Sequence, residues 1–358
     1  MEELMSRSFI INLLALASVI SQAAASTIPA TIPAPPITDH HAQKKANIAE
    51  KTQIYLIASS SQYDESIIAQ LRKTFGQEGY AIDTTYLDQN PTPLGYVNTD
   101  KIRAETLIKA LTDNNVKYLW FVKGGSGALN LYPYLYANRK KVSASSPKIL
   151  IGFSDVTVIH HYINNDINWP SIHGVLASYN KEMYELNKVE EISKYSSINE
   201  IFQTVSGGVT YSGIEPMNLR AVEGGRGILN GGNLTLVQSL FSTRYEKKYS
   251  NKIMLLEDIN VTYKQLDRTL HQLEYSKNFR QKAVIFGQFY EINAAQEEKE
   301  LYRYIIQAFA KRVDYPVYYY PDFGHGTTNQ PFLLAQRVSI SCNHNSRYCS
   351  LTQPPLTL

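Results

Sequence analysis

Cysteine is nearly absent: the 358-residue chain holds two. That excludes a disulfide-framework fold and any zinc site built from two or more cysteine pairs. Charge is scarce as well. Asp, Glu, Lys and Arg make up 19% of the chain, against a usual level of about 25%. Lys+Arg 35 against Asp+Glu 32 leaves a net charge of +3, too small a surplus for a nucleic-acid partner, which demands a basic stripe. Proline and glycine, at 15 and 19, show no excess, so collagen-like and low-complexity readings of the whole chain fall away. No fixed-period repeat and no H-E-x-x-H occur. What is plentiful is tyrosine, 26 residues, within a hydrophobic share of 44%. The length accommodates two domains, each able to bury its own core.

Long apolar runs are also missing, with one exception. FIINLLALASVI, Phe9 to Ile20, is too short to span a bilayer and suits the apolar core of a secretory signal. Arg7 supplies the positive flank, and Ala23-Ala24-Ala25 before Ser26 gives the small-x-small pattern for cleavage after Ala25. Met5 as the start would remove the atypical Glu2 and Glu3. A buried N-terminal helix is the alternative. Residues 26–51 carry Pro29, Pro33, Pro35 and Pro36 and little that could pack, which predicts an extended tether. The expectation is an exported, periplasmic or secreted protein with no stable membrane insertion once residues 1–25 are removed.

From residue 52 the pattern alternates. QIYLIA (53–58), YLWFV (118–122) and ILIGF (149–153) are apolar on both faces, while Ile67 to Phe75 reads as a helix. Ala104, Leu107, Ile108 and Leu111 also fall at helical spacing. Doubly apolar strands alternating with helices predict an α/β fold whose N-terminal domain, 52–175, is a doubly wound parallel sheet. Residues 176–216, with their Lys and Glu runs, are expected to form a connecting segment with a solvated face. A second α/β domain is expected over 217–358, with IMLL (253–256) and AVIFG (283–287) as strand cores. Leu266, Leu270 and Leu273, and then Leu301, Ile305, Ala308 and Phe309, mark its helices.

Four short motifs could carry chemistry. In Gly152-Phe153-Ser154-Asp155 a strand runs into the helical pattern VTVIHHYI (156–163). Ser154 on such a turn can be an exposed nucleophile with the Asp155 N–H facing an oxyanion. It can equally be a helix N-cap, the more economical reading of the turn alone. Val156 stands where the hydrolase elbow has its second glycine. Lys123-Gly124-Gly125-Ser126-Gly127 follows another apolar strand; its glycines permit close backbone approach, but neither the dinucleotide nor the P-loop spacing is met. Glu257-Asp258 closes a strand, and His325 lies between Gly324 and Gly326. Alone, a strand-end Glu is usually solvated and a loop His usually binds nothing. The adjacent pairs His40-His41 and His160-His161 offer no metal chelate, since neighbours on a helix point about 100° apart.

In this order the four motifs resemble the LD-carboxypeptidase family of serine peptidases, which also includes the microcin C immunity peptidases. The resemblance runs from about Gln53 to Val338. It is strongest in KILIGFSDVT (148–157), GILNGGNLTLV (227–237), IMLLEDIN (253–260), LDRTLHQL (266–273) and PDFGHG (321–326). It implies Ser154 as nucleophile, His325 as general base and Glu257 as its orienting carboxylate, with the site in the cleft between the two domains. Backbone N–H groups of Gly125 and Asp155 would form the oxyanion hole, and Gly124, Lys123, Ser126 and Asn233 would contact substrate. No metal or organic cofactor is implied.

By the same resemblance the activity is removal of terminal D-Ala from murein-derived tetrapeptides through an acyl-enzyme. Export would place it on the cell wall or on periplasmic fragments, and a homodimer is compatible with it. Two other readings stay open: an immunity-type peptidase opening a peptide–nucleotide antibiotic, and a non-catalytic murein-peptide binding protein. The departures from the family pattern gather in one segment. Lys123, Asn130 and Tyr136 stand where relatives commonly have Arg, Arg and Asp, and Ser126 stands where many have Tyr. Lysine lacks the bidentate fork of arginine, so substrate contacts are what these departures touch. Export also makes a Cys342–Cys349 disulfide an expectation.

Overall fold

The computed structural model describes residues 52–187, 194–343 and 345–356. The expected leader and the Pro-rich tether lie outside the described residues. Among those described, no helix is long and apolar enough to cross a membrane.

The N-terminal half is wound around β1 (Thr52–Ile57), β2 (Tyr80–Tyr86), β3 (Tyr118–Phe121), β4 (Ile149–Gly152) and β5 (Ser171–His173). All five pair in parallel. The doubly apolar runs explain why. Leu119 and Phe121 point into one buried cluster, while Trp120 and Val122 point into another on the opposite face. Helices α1 (Ile67–Gln77) and α2 (Asp100–Thr112) cover opposite faces. The pair α3 (Tyr132–Ala137) and α4 (Arg139–Ser143), followed by α5 (Thr157–Tyr162), joins the α2 layer. On the other side α6 (Lys181–Leu186) precedes the short β6 (Lys194–Tyr195), and then α7 (Ile198–Gly207) packs Ile198, Ile201 and Phe202 beside α1. A Ser197–Glu200 capping box starts α7.

The C-terminal half is a closed barrel. Its strands are β7 (Val209–Pro216), β8 (Gly225–Asn233), β9 (Lys252–Glu257), β10 (Ala283–Phe286) and β11 (Val317–Tyr319). After the two-residue β12 (Thr328–Asn329) and β13 (Phe332–Leu334), the barrel is completed by β14 (Arg337–Cys342) and β15 (Cys349–Gln353). Around it the order is β10-β11-β7-β15-β14-β8-β9, parallel from β8 through β11 and antiparallel elsewhere. Closure leaves this sheet no open edge. Alternation again sorts the side chains: Ile253 and Leu255 join one cluster. Met254 and Leu256 join another, with α8 (Leu234–Ser239), α9 (Tyr263–Tyr275) and α10 (Gln296–Arg312). Cys342 and Cys349 face each other across β14 and β15 and are disulfide-bonded.

Two boundaries differ from the expectation. Residues 176–216 do not form one connecting segment: α7 belongs to the N-terminal layer, and the barrel begins at Val209 rather than at 217, because β7 pairs with both β11 and β15. The C-terminal half in turn lends β13 to the first sheet, where Phe332 to Leu334 run antiparallel to β5. The exchange ties the two halves together beside the carboxyl ends of β4 and β5, where α/β sheets hold their sites.

Candidate active site

The turn after β4 fixes Ser154. Gly152 is packed so tightly that a Cβ there would lie 3.2 Å from the Val156 methyl groups and 3.3 Å from the Phe121 ring. Squeezed between strand and helix, Ser154 takes a φ of +62°, a left-handed conformation that a serine adopts only under constraint. It caps nothing: neither the short 3-10 turn Ser154–Val156 nor α5 has a side-chain cap. Its hydroxyl lies instead 2.9 Å from His325 Nε2.

Glu257 is the last residue of β9 and is fully buried. His325 sits in the loop after β11, its Nδ1 2.7 Å from Glu257 Oε2. Glycines bring that loop so close. Gly324, at φ +111°, would put a Cβ 3.0 Å from Glu257 Oε2, and a Cβ on Gly326 would fall on the Gln288 amide. The Gly324 N–H donates to Asn329 Oδ1 at 3.1 Å, and the Phe153 ring lies 4.7 Å from that of His325. With the proton on Nδ1, His325 donates to Glu257 and accepts from Ser154. The three side chains expected to act together are therefore in one hydrogen-bonded line.

The electrostatics follow from that line. Burial works against ionising Glu257, but His325 and His173 outweigh it and hold the carboxyl at about 2. For His325 burial favours the neutral ring, yet the charge of Glu257 and the hydrogen bond to it prevail, raising it above the ordinary 6.5. A carboxylate that stays ionised while the imidazole beside it gains basicity is what a proton-accepting histidine needs.

The glycine loop lies against Ser154. A Cβ on Gly124 would stand 3.3 Å from Ser154 Cβ and 3.4 Å from its Oγ. Gly125, at φ +109°, has the Ser61 hydroxyl where a Cβ would be, and Ser61 Oγ accepts the Ser126 N–H at 3.2 Å. The Asp155 side chain pins the same loop, accepting the Ala128 N–H at 2.9 Å. The remaining expected substrate contacts, Lys123 and Asn233, have partners within the protein. Lys123 turns its ammonium to the Gln62 carbonyl, 3.0 Å away. Asn233 is buried, donates to Asp258 Oδ1 at 2.8 Å and caps α8 through its carbonyl. Its amide is thus engaged inside the protein. Asn130 bonds to Asp100, and Tyr136 lies under the Arg139 guanidinium. Among the described residues no group of three or more His, Cys, Asp or Glu could hold a metal ion.

One residue at the site escaped the sequence reading, and another, Asp258, was noted there without a role of its own. Asp258, beside Glu257, is buried and accepts from Asn233, Thr235 and the Ile259 N–H. It braces the start of α8. His173, the last residue of β5, lies 3.7 Å from Glu257 with both side chains fully buried. Its only sequence signal was a histidine before a glycine at the end of a short strand.

Comparison with known proteins places the sequence and the fold in one family. The family model for the LD-carboxypeptidase N-terminal domain matches residues 54–174, and that for the C-terminal domain matches 226–340. A Rickettsia prowazekii protein bearing a carboxypeptidase name is 29% identical over 255 residues, covering 70% of this chain and 76% of its own. The murein tetrapeptide carboxypeptidase of Pseudomonas aeruginosa is 28% identical over 246 residues, 67% of this chain and 78% of its own. Among solved structures, muramoyltetrapeptide carboxypeptidase from Oxalobacter formigenes shares the fold with a TM-score of 0.69 at 20% identity, covering 85% of this chain and 100% of its own.

Proposed function

The chain belongs to the LD-carboxypeptidase family, a family of peptidases, and we propose that it is an exported serine peptidase that removes terminal D-Ala from murein-derived tetrapeptides. The observation that carries the reading is the line from Ser154 Oγ through the His325 ring to Glu257, at 2.9 and 2.7 Å.

In this reading Ser154 Oγ attacks the carbonyl carbon of the bond to D-Ala while His325 Nε2 takes the hydroxyl proton. The N–H groups of Gly125 and Asp155 receive the negative charge that develops on the carbonyl oxygen. The C–N bond breaks, His325 returns the proton to the departing amine, and D-Ala leaves. Water then attacks the Ser154 ester, gives a proton to His325 and releases the shortened peptide, and the proton goes back to Ser154. Glu257 keeps Nε2 free to accept at each step and stabilises the imidazolium.

Export is supported by the apolar run at Phe9 to Ile20 and by the Cys342–Cys349 bond, which suits an oxidising compartment. The test is incubation of purified protein with a disaccharide tetrapeptide, followed by assay for free D-Ala. Stoichiometric D-Ala and tripeptide are expected; intact tetrapeptide after prolonged incubation would overturn the substrate assignment.

A further inference from the structure

Glu257 has two carboxylate oxygens, and the triad uses one. Oε2 accepts the hydrogen bond from His325 Nδ1–H. Oε1 is fully buried and has no hydrogen-bond partner among the described residues, and the same holds for both ring nitrogens of His173. Buried polar atoms left bare cost free energy, a carboxylate oxygen most of all. The nearest relief is mutual: His173 Nε2 lies 3.7 Å from Glu257 Oε1, slightly beyond hydrogen-bond range, with both side chains at 0% exposure. Such contacts commonly lengthen in a substrate-free site and tighten in the reacting complex.

The surroundings hold His173 for this task. Backbone pairing fixes it between Gly152 of β4 and Phe332 of β13. Its ring sits between Phe153, at 5.9 Å and 68°, and Phe323, at 6.0 Å and 84°. These are the residue before the nucleophile and the residue two before the base. The titratable groups that face it are Glu257, with His325 beyond it, and His160 on α5. Burial keeps His160 neutral, at about 3, with its Nε2 bonded to the Gly152 carbonyl at 2.8 Å.

We infer that His173 is a positioning residue that donates a hydrogen bond to Glu257 Oε1, so that one carboxylate is gripped by two imidazoles and cannot swing away from His325. The inference rests on the triad reading. Without the second donor, Glu257 would remain a buried anion short of one hydrogen bond, and a buried anion so deprived attracts a proton more strongly. The Glu257–His325 pair would then take up its inactivating proton at higher pH.

The experiment follows the rate of Ser154 labelling by a fluorophosphonate against pH, with kcat and KM for D-Ala release, in wild type, His173→Gln and His173→Phe. Loss of a charge-assisted hydrogen bond predicts a rate lower by roughly tenfold to a hundredfold for His173→Phe. The loss falls in kcat with KM held, and the acid limb moves up by about one pH unit. Gln, whose amide nitrogen can reach the Nε2 position, restores much of both. Should His173→Phe fail to fold, the inference stands on His173→Gln and NMR. It requires the wild-type His325 Nδ1–H to give a far-downfield proton resonance that shifts in His173→Gln. A His173→Phe protein that melts earlier but keeps the wild-type acid limb and kcat, or a His325 Nδ1–H resonance unmoved in His173→Gln, overturns it, because a purely structural histidine behaves that way. A wild type unlabelled at Ser154 fails the triad reading instead, which separates the two outcomes.

Discussion

Replacing Glu257 with glutamine changes one buried atom and leaves the volume of the site intact. Glu257 supplies His325 with two things: an acceptor 2.7 Å from Nδ1, and a full negative charge in a fully buried position. Losing the charge-assisted part of that hydrogen bond costs about 1.5–3 kcal/mol. If the new amide nitrogen faces Nδ1, the His325 proton is driven to Nε2 and Ser154 loses its acceptor. Together these predict a fall in kcat of roughly a thousandfold to ten-thousandfold, about 4–5.5 kcal/mol in activation free energy. The pH profile moves as well. His325 works only when neutral, so activity falls as pH drops through its pKa. Glu257 raises that pKa above 6.5, whereas burial alone lowers it. In Glu257→Gln the acid limb of kcat/KM should therefore move from above 6.5 to below it, opposite to the shift expected on losing His173. The assay is D-Ala release from a tetrapeptide between pH 5 and 9, alongside the melting temperature. A kcat within tenfold of wild type with an unmoved acid limb would refute the reasoning.

Gly124→Val places methyl groups against Ser154, where a bare Cβ already stands 3.3 Å away. It should lower kcat about a hundredfold with little change in melting temperature, which steady-state kinetics and calorimetry would measure. Cys342→Ser opens a short loop between β14 and β15 and should cost about 2.5 kcal/mol of stability. Denaturant titration of the oxidised proteins should show that loss, while turnover at 25 °C is retained. N-terminal sequencing of protein recovered from the cell envelope should begin at Ser26; a product still carrying Phe9 to Ile20 would contradict export and cleavage.

Legibility followed the range of the interactions. β1, β3 and β4 announce themselves because both faces are apolar, which a local window detects. β7, VTYSGIEP, does not: its burial alternates and includes exposed positions, so it resembled a linker, and only its pairing with β11 and β15 makes it a strand. Nothing near Phe332 to Leu334 says that they will leave the barrel half and close the first sheet on β5. The site divides in the same way. Ser154, Glu257 and His325 were singled out through the family resemblance of their motifs, whose glycines and strand ends are local. His173 was not, because what distinguishes it is a carboxylate on a strand of the other half. Lys123 was legible as a residue but not in its direction, since Gln62, its partner, lies on the loop after β1.

The central claim is that Ser154 is the nucleophile and not a turn residue. Its most direct test is the turnover of Ser154→Ala on a murein tetrapeptide, measured as D-Ala released per folded protein beside wild type and His325→Ala. Each single variant should lose several orders of magnitude in kcat while binding peptide and melting nearly as wild type does. Ser154→Ala/His325→Ala should be scarcely slower than either alone, because the two side chains act as one unit. Wild-type turnover in a Ser154→Ala protein that merely melts at a lower temperature would contradict the account.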